Sequence, residues 1–319
     1  MSSCQHDIRT VMEQAFEHYK DNHEGKNASY IPYLDSVPSN LGGIAFVSVT
    51  GEIIDLYDAH YPFAIESISK IMTMGLALEQ VGAHSVQSKI GADPTGLPFN
   101  SVLALELHKG KPLTPLVNAG AIATASLIDA SDKEDRWQQI IEFQSRLAAT
   151  QIQLSEEVNH SEQTTNLHNR AIALLLASSN RIYSNPLEAC EVYTRQCSTL
   201  FDCVSLATVG ATLANGGVNP ISQEQVLHQT NVPHILAEMV MEGLYDTSGD
   251  WAYSVGLPSK SGVGGGLLSV IPNVGAIAAF SPRLDKYGNS VRGQLMIKQV
   301  AKTMGWNLFN CTQHFATTK

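Results

Sequence analysis

Phe63-Ala-Ile-Glu-Ser67-Ile-Ser-Lys70-Ile-Met-Thr-Met-Gly75-Leu-Ala-Leu-Glu79 sets a serine and a lysine three residues apart at the head of an amphipathic run. Pro62 lies just upstream, and Ile68, Ile71, Met72, Leu76 and Leu78 recur at helical spacing, which predicts a mostly buried helix with Ser67 in its first turn. Residues three apart share a helix face, so the Lys70 amine comes within reach of the Ser67 hydroxyl without help from the rest of the fold. Unpaired N–H groups at a helix start point outward and carry positive potential. A hydroxyl placed there has a potential base and an oxyanion donor beside it. The plain alternative is a solvated lysine on a helix capped by a serine.

Bulk properties narrow the setting. A chain of 319 residues suits one large domain or two, and 44% hydrophobic with 16% charged residues describes an ordinary globular protein. The formal net charge is -10 and no Lys/Arg cluster occurs, so nucleic acid is not expected as a partner. Apolar runs such as Ala171-Ile-Ala-Leu-Leu-Leu-Ala177 fall far short of the ~20 residues that span a bilayer, so no membrane segment is expected. The stretch Met1 to Phe16 reads as a polar amphipathic helix without the features of a signal peptide, which leads to the expectation of a cytoplasmic protein. Cys4, Cys190, Cys197, Cys203 and Cys311 make an odd count without C-x-x-C spacing, as free thiols would. The histidines form no ligand pair of the H-E-x-x-H kind, and neither a metal nor a cofactor is expected.

Outward from the opening stretch, Gly43 to Gly51 and Glu52 to Tyr57 are β-rich runs split at Thr50-Gly51, a hairpin pattern. Between Ala83 and about Leu200 helical patterns alternate with breakers, with helices expected over 135–147, 163–178 and 199–215. Asn118 opens a small-residue helix, where an asparagine is usually a cap, and Asn185-Pro186 reads as the cap and first residue of the helix holding Tyr193. Tyr30, by spacing alone, is a half-buried aromatic. The last third returns to strands, Leu267 to Ile271 and Val274 to Phe280 about a Pro272-Asn273 turn, followed by a helix over 290–304. Strands at both ends with helices between predict an α+β fold: one antiparallel sheet built from both termini, flanked by helices, with an inserted all-helical domain. The boundaries expected are 1–66 and 200–319 for the sheet domain and 67–199 for the helical one.

Lys260-Ser261-Gly262 adds a second motif on a predicted strand. S-x-x-K followed by K-[ST]-G resembles the penicillin-recognising serine enzymes, in which the second lysine adds positive charge beside the nucleophile. No S-D-N is present, and Tyr183-Ser184-Asn185 has a related form but a local capping role. The run Gly262-Val-Gly-Gly-Gly266 precedes a strand and not a helix, so it reads as a tightly turning strand start and not as a phosphate loop.

Seven segments together resemble the serine-dependent glutaminases, a family with the β-lactamase-like fold, over nearly the whole chain. They are Tyr30-Ile-Pro, Ser67-Ile-Ser-Lys70, Asn118-Ala-Gly-Ala-Ile122, Ser161-Glu162 with Asn169-Arg-Ala-Ile, Val192-Tyr193-Thr-Arg-Gln-Cys197, Gly243-Leu-Tyr245-Asp-Thr-Ser-Gly249 and Lys260 to Gly266. The resemblance implies hydrolysis of L-glutamine to L-glutamate and ammonia through a γ-glutamyl ester. It implies Ser67 as nucleophile, Lys70 as its activator, Tyr245 as a proton carrier and the Val263 N–H as second oxyanion donor. Tyr30, Asn118, Glu162, Asn169 and Tyr193 would hold the α-amino and α-carboxylate groups, in an enzyme that assembles as a homodimer or homotetramer. An ammonium group needs a carboxylate and a carboxylate needs amide or phenol donors, which those residue types supply. The family usually has glutamine immediately before the nucleophile, and here it is Glu66. An ionised Glu66 could not replace an amide donor, and the simpler reading of this substrate-site candidate is a near-isosteric change facing water or a cation. Two rivals share these residues: a β-lactamase or peptidase, and a non-catalytic amino-acid-binding protein on the same fold.

Overall fold

The computed structural model describes residues 7–310, so Cys4, Cys311 and the start of the first expected helix lie outside the described residues. Eight strands occur among them: β1 (Gly43–Ser48), β2 (Ile53–Tyr57), β3 (Phe63–Ala64), β4 (Gln153–Leu154), β5 (Thr199–Phe201), β6 (Ser259–Ser261), β7 (Gly266–Ile271) and β8 (Gly275–Phe280). Five form an antiparallel sheet in the order β2-β1-β8-β7-β6, joining the N-terminal hairpin to the C-terminal strands as expected.

Alternation sorts the side chains of the central strands between two covered faces. Ile44, Phe46, Leu267, Ile271, Ile277 and Ala279 pack with the helices Ile8–Tyr19 and Val291–Met304. Ala45, Val47, Leu268, Val270, Ala276 and Ala278 face the helix Cys203–Ala214. Small residues let that helix lie close: a Cβ on Gly210 would stand 2.5 Å from the Ala276 Cβ. Both faces are covered, so β1, β7 and β8 are buried along their whole length and are largely apolar, with Ser48 and Ser269 the exceptions.

Three expectations about elements are corrected. The run 199–215 is not one helix: Thr199–Phe201 pairs with β3 and β4 in a second, three-stranded sheet, and Asp202 then starts the helix Cys203–Ala214 with a capping box to Ser205. The run 163–178 falls in two helices, Glu156–Thr165 and Leu167–Ser178, that meet at Asn166. Ser67 sits in a 3₁₀ turn, Glu66–Ile68, leading directly into the helix Ser69–Val81, because Glu66 takes a left-handed backbone (φ 52°) that an α-helical first turn does not allow. The helix Val232–Glu242 has no counterpart in the sequence reading.

Candidate active site

The 3₁₀ turn sets Ser67 between the glycine loop after β6 and the helical half of the molecule. A Cβ on Gly262 would come 2.6 Å from the Ile65 carbonyl oxygen and 3.4 Å from the Glu66 Cβ, so only glycine lets the two backbones approach this closely. Gly262 N–H bonds Gly266 O and Gly265 N–H bonds Gly262 O, closing the tight turn that the glycine run predicts. Neither Ser67 N–H nor Val263 N–H is taken by another backbone group among the described residues, which leaves two adjacent donors free for an oxyanion.

A cavity of about 240 Å³ opens on Ser67, and Tyr30, Glu66, Asn118, Glu162, Asn169, Tyr193 and Val263 line it with the serine. Eight residues singled out from the sequence thus converge on one hollow. Tyr30, Phe99 and Val263 also border a larger outer hollow of about 560 Å³, which makes them the rim between the two. Tyr245 stands behind the rim, 2% exposed, with φ 55°; its phenol hydrogen-bonds the Ser67 hydroxyl and donates to Ser261 O at 3.2 Å.

Lys70 is buried, and its Nζ donates to Asn118 Oδ1 at 2.7 Å and to the Leu116 carbonyl at 3.4 Å. Burial lowers its pKa to about 8, against smaller opposing effects of Cys197, Glu66 and Glu242. A neutral amine has two N–H bonds to give, and these two carbonyl oxygens can take both. Asn118 is therefore not the helix cap its position suggests. Val117 flanks the helix Asn118–Leu127, and the Asn118 side chain accepts from Lys70 and Tyr193 Oη (3.0 Å) while donating to Asn169 Oδ1 (3.0 Å). Asn185 does cap its helix, accepting from Leu187 N and Glu188 N.

Lys260, expected to add positive charge beside the nucleophile, lies on the edge strand β6. It does not line the hollow; its Nζ lies 4.4 Å from the centroid of the Tyr245 ring and donates to Ser261 O (2.7 Å) and Gly243 O (3.0 Å). Burial, then Lys70, holds its pKa well below the usual lysine value, because a charged ammonium there would lose its water. Lys260 holds the edge strand and Tyr245 in place.

Glu66, expected to face water or a cation, is 4% exposed; it lines the cavity, makes no hydrogen bond to the nearby Lys70, and hydrogen-bonds Glu162, whose Oε1 also accepts from Ser198 Oγ at 3.3 Å.

Other cavity residues escaped the sequence reading. Cys197 follows Tyr193 by one turn on the same helix and Asn166 precedes Asn169 by three, so shared helix faces were the available signal. Phe99, its ring 4.7 Å from that of Tyr245 and tilted 38° to it, left none. Among the described residues, no group of three or more His, Cys, Asp or Glu could hold a metal ion, and no helix is long and apolar enough to cross a membrane.

Comparison with known proteins matches residues 25–309 to the family model described as Glutaminase. "Glutaminase 1" of Escherichia coli (strain K12) is 61% identical over 302 residues, 95% of this chain and 97% of the relative. Among solved structures, one described as probable glutaminase ybaS superposes with a TM-score of 0.94 at 59% identity, covering 97% of this chain and all of the other. The Bacillus subtilis glutaminase YbgJ, in covalent complex with 5-oxo-L-norleucine, superposes with a TM-score of 0.87 at 28% identity over 95% of this chain and 100% of its own.

Proposed function

This chain belongs to the glutaminase family, and on that premise we propose that it hydrolyses L-glutamine to L-glutamate and ammonia through a γ-glutamyl ester on Ser67. The observation that carries the reading is one small cavity lined by a serine, two free main-chain donors and a carboxylate, with the buried Lys70 three residues beyond the serine on the helix that follows it. Neutral Lys70 takes the Ser67 proton as the oxygen attacks the side-chain amide carbon, and the Ser67 and Val263 N–H groups receive the oxyanion. The leaving nitrogen takes a proton from Lys70 or from Tyr245, whose phenol burial keeps protonated, and departs as ammonia. Water then hydrolyses the ester. The covalent adduct of the Bacillus subtilis relative with a compound of the norleucine series supports covalent chemistry in a site of this fold.

Glu162 receives the substrate ammonium, and Asn169 with Tyr30 faces its carboxylate; Asn118 and Tyr193, whose polar ends bond within the protein, keep Lys70 aimed. In this reading the helical domain, 67–199, supplies Ser67, Lys70, Asn118, Glu162, Asn169 and Tyr193, and the sheet domain, 1–66 with 200–319, supplies Tyr30, Glu66, Tyr245, Lys260 and Val263. The enzyme works in the cytoplasm as a homodimer or homotetramer. The free, buried Cys190, Cys197 and Cys203 suit a reducing compartment, and the exposed Leu103, Leu107, Leu167 and Leu174 offer an apolar face for association.

Ser67→Ala abolishes ammonia release and leaves glutamine binding measurable, and the acyl adduct of the intact enzyme maps by mass spectrometry to the Ser67 peptide. Undiminished turnover of the variant rejects the nucleophile.

A further inference from the structure

Two carboxyl groups, Glu66 and Glu162, meet by a side-chain hydrogen bond inside the cavity, the first buried and the second half-buried. A hydrogen bond between two carboxyl groups needs a proton on one of them, because ionised carboxylates only accept. Glu162 is already an acceptor for Ser198 Oγ, whereas Glu66 Oε1 is buried with no donor to accept from. An ionised Glu66 would leave that oxygen charged and bare, the costliest arrangement open to the pair. The proton therefore belongs on Glu66.

Resting on the functional reading above, we propose that Glu66 is a specificity-determining residue that works as a neutral acid. It donates to Glu162, so that the site offers one negative charge to the single ammonium of glutamine and loses affinity when the proton leaves.

The groups facing Glu66 agree. From the other elements come Glu162, Lys70, Tyr30, Tyr193, Cys197 and Tyr245. Lys70 alone can be a cation, and its hydrogen bonds go to Asn118 and Leu116 and not to Glu66. Burial first, and the Glu162 charge second, push the Glu66 carboxyl well above the ordinary range; burial raises Glu162 to about 7. The left-handed backbone at Glu66 holds the side chain in this position against a conformational preference. A neutral carboxyl has a donor and an acceptor, and a side-chain amide has both as well at any pH, so glutamine at this position is the permanent form of what Glu66 provides only while protonated.

The test titrates L-glutamine calorimetrically into full-length Ser67→Ala and into Ser67→Ala/Glu66→Gln, from about pH 5.5 to about pH 9. The single variant should lose affinity with rising pH, approaching about tenfold per unit at the alkaline end, and the double variant should lose only what the substrate's own ammonium titration costs both. Infrared spectroscopy at neutral pH should show a protonated-carboxyl carbonyl band that Glu66→Gln lacks. Parallel affinity profiles, or no difference in that band, overturn the proposal while leaving the functional reading standing. No glutamine binding by Ser67→Ala at any pH overturns the functional reading and the inference with it.

Discussion

Gly262→Ala perturbs the proposed oxyanion site without altering a side chain in it. A Cβ there would stand 2.6 Å from the Ile65 carbonyl oxygen and 3.1 Å from the Ile68 Cγ1. The oxygen is main chain, pinned between β3 and the turn that carries Ser67, and cannot rotate aside. Ordinary contact begins near 3.4 Å, so the two segments must separate by about 0.8 Å, the difference from 2.6 Å. That movement carries Val263 N–H away from Ser67 N–H and lengthens one of two charge-assisted hydrogen bonds that form only as the oxyanion develops. A misplacement of this size costs about 100-fold in rate, in keeping with the ~3 kcal/mol lost when a single oxyanion donor is removed. The loss should fall on kcat, with KM within about threefold of the parent. Ammonia release measured against glutamine concentration gives both constants, and circular dichroism checks that the variant is folded. A folded Gly262→Ala enzyme with undiminished kcat, or with only a raised KM, would remove the 262–263 loop from the oxyanion site.

The ionisable groups give a signed expectation for rate. Lys70 acts as a base only when neutral, so at saturating glutamine kcat should rise about tenfold per pH unit below about pH 8 and then level; a flat profile down to about pH 6 would exclude it as the base. Gly210→Ala pushes a methyl against Ala276 and Leu268, so urea unfolding should show a loss of about 1–3 kcal/mol with KM unchanged, and undiminished stability would mean the helix and sheet are not in contact. Glu238 is buried and accepts from Thr114 Oγ1 at 2.6 Å, and burial raises its carboxyl from 4.5 to about 7. The folded state thus holds the proton more tightly, and this group's contribution is present below 4.5 and lost as pH rises through about 7. Glu238→Gln should therefore gain stability relative to the parent between about pH 5 and pH 8, and an unchanged gap in unfolding midpoint would refute the assignment.

Local patterns carried well from sequence to structure, and long-range pairings did not. The buried helix that carries Lys70 was legible from the period of Ile71, Met72, Leu76 and Leu78, and Asn185-Pro186 because a cap is a local hydrogen bond. Thr199–Phe201 was read as helix because its apolar residues continue the period of the helix after it, while its strand partners lie at Phe63 and Gln153, far along the chain. Asp202 followed three residues later by Ser205 was the available boundary mark. Asn118 looked like a cap because nothing local shows that Lys70 and Tyr193 converge on it from other helices. Most remote of all was Glu66: whether it meets a cation or a second acid depends on where Glu162 falls, 96 residues away, and on a positive φ that no residue nearby announces.

One physical cause acts with opposite sign on the buried charges. Burial lowers Lys70 and Lys260, and raises Glu66, Glu162, Glu238 and Glu242. Had the fold paired these groups as ions, Lys70 would be a firm ammonium, useless as a base. Instead the hydrogen bonds of both lysines go to uncharged oxygens: Asn118 and Leu116 for one, Gly243 and Ser261 for the other. Close Lys/Arg ion pairs run along more accessible faces, as in Lys20–Glu17, Lys133–Glu191 and Arg146–Glu224. Withholding a counter-ion costs stability and leaves an amine free of its proton near neutral pH. The same exclusion of water that frees the Lys70 lone pair forces a proton onto one member of the carboxyl pair, so base strength and substrate charge are set together by how dry the cavity is.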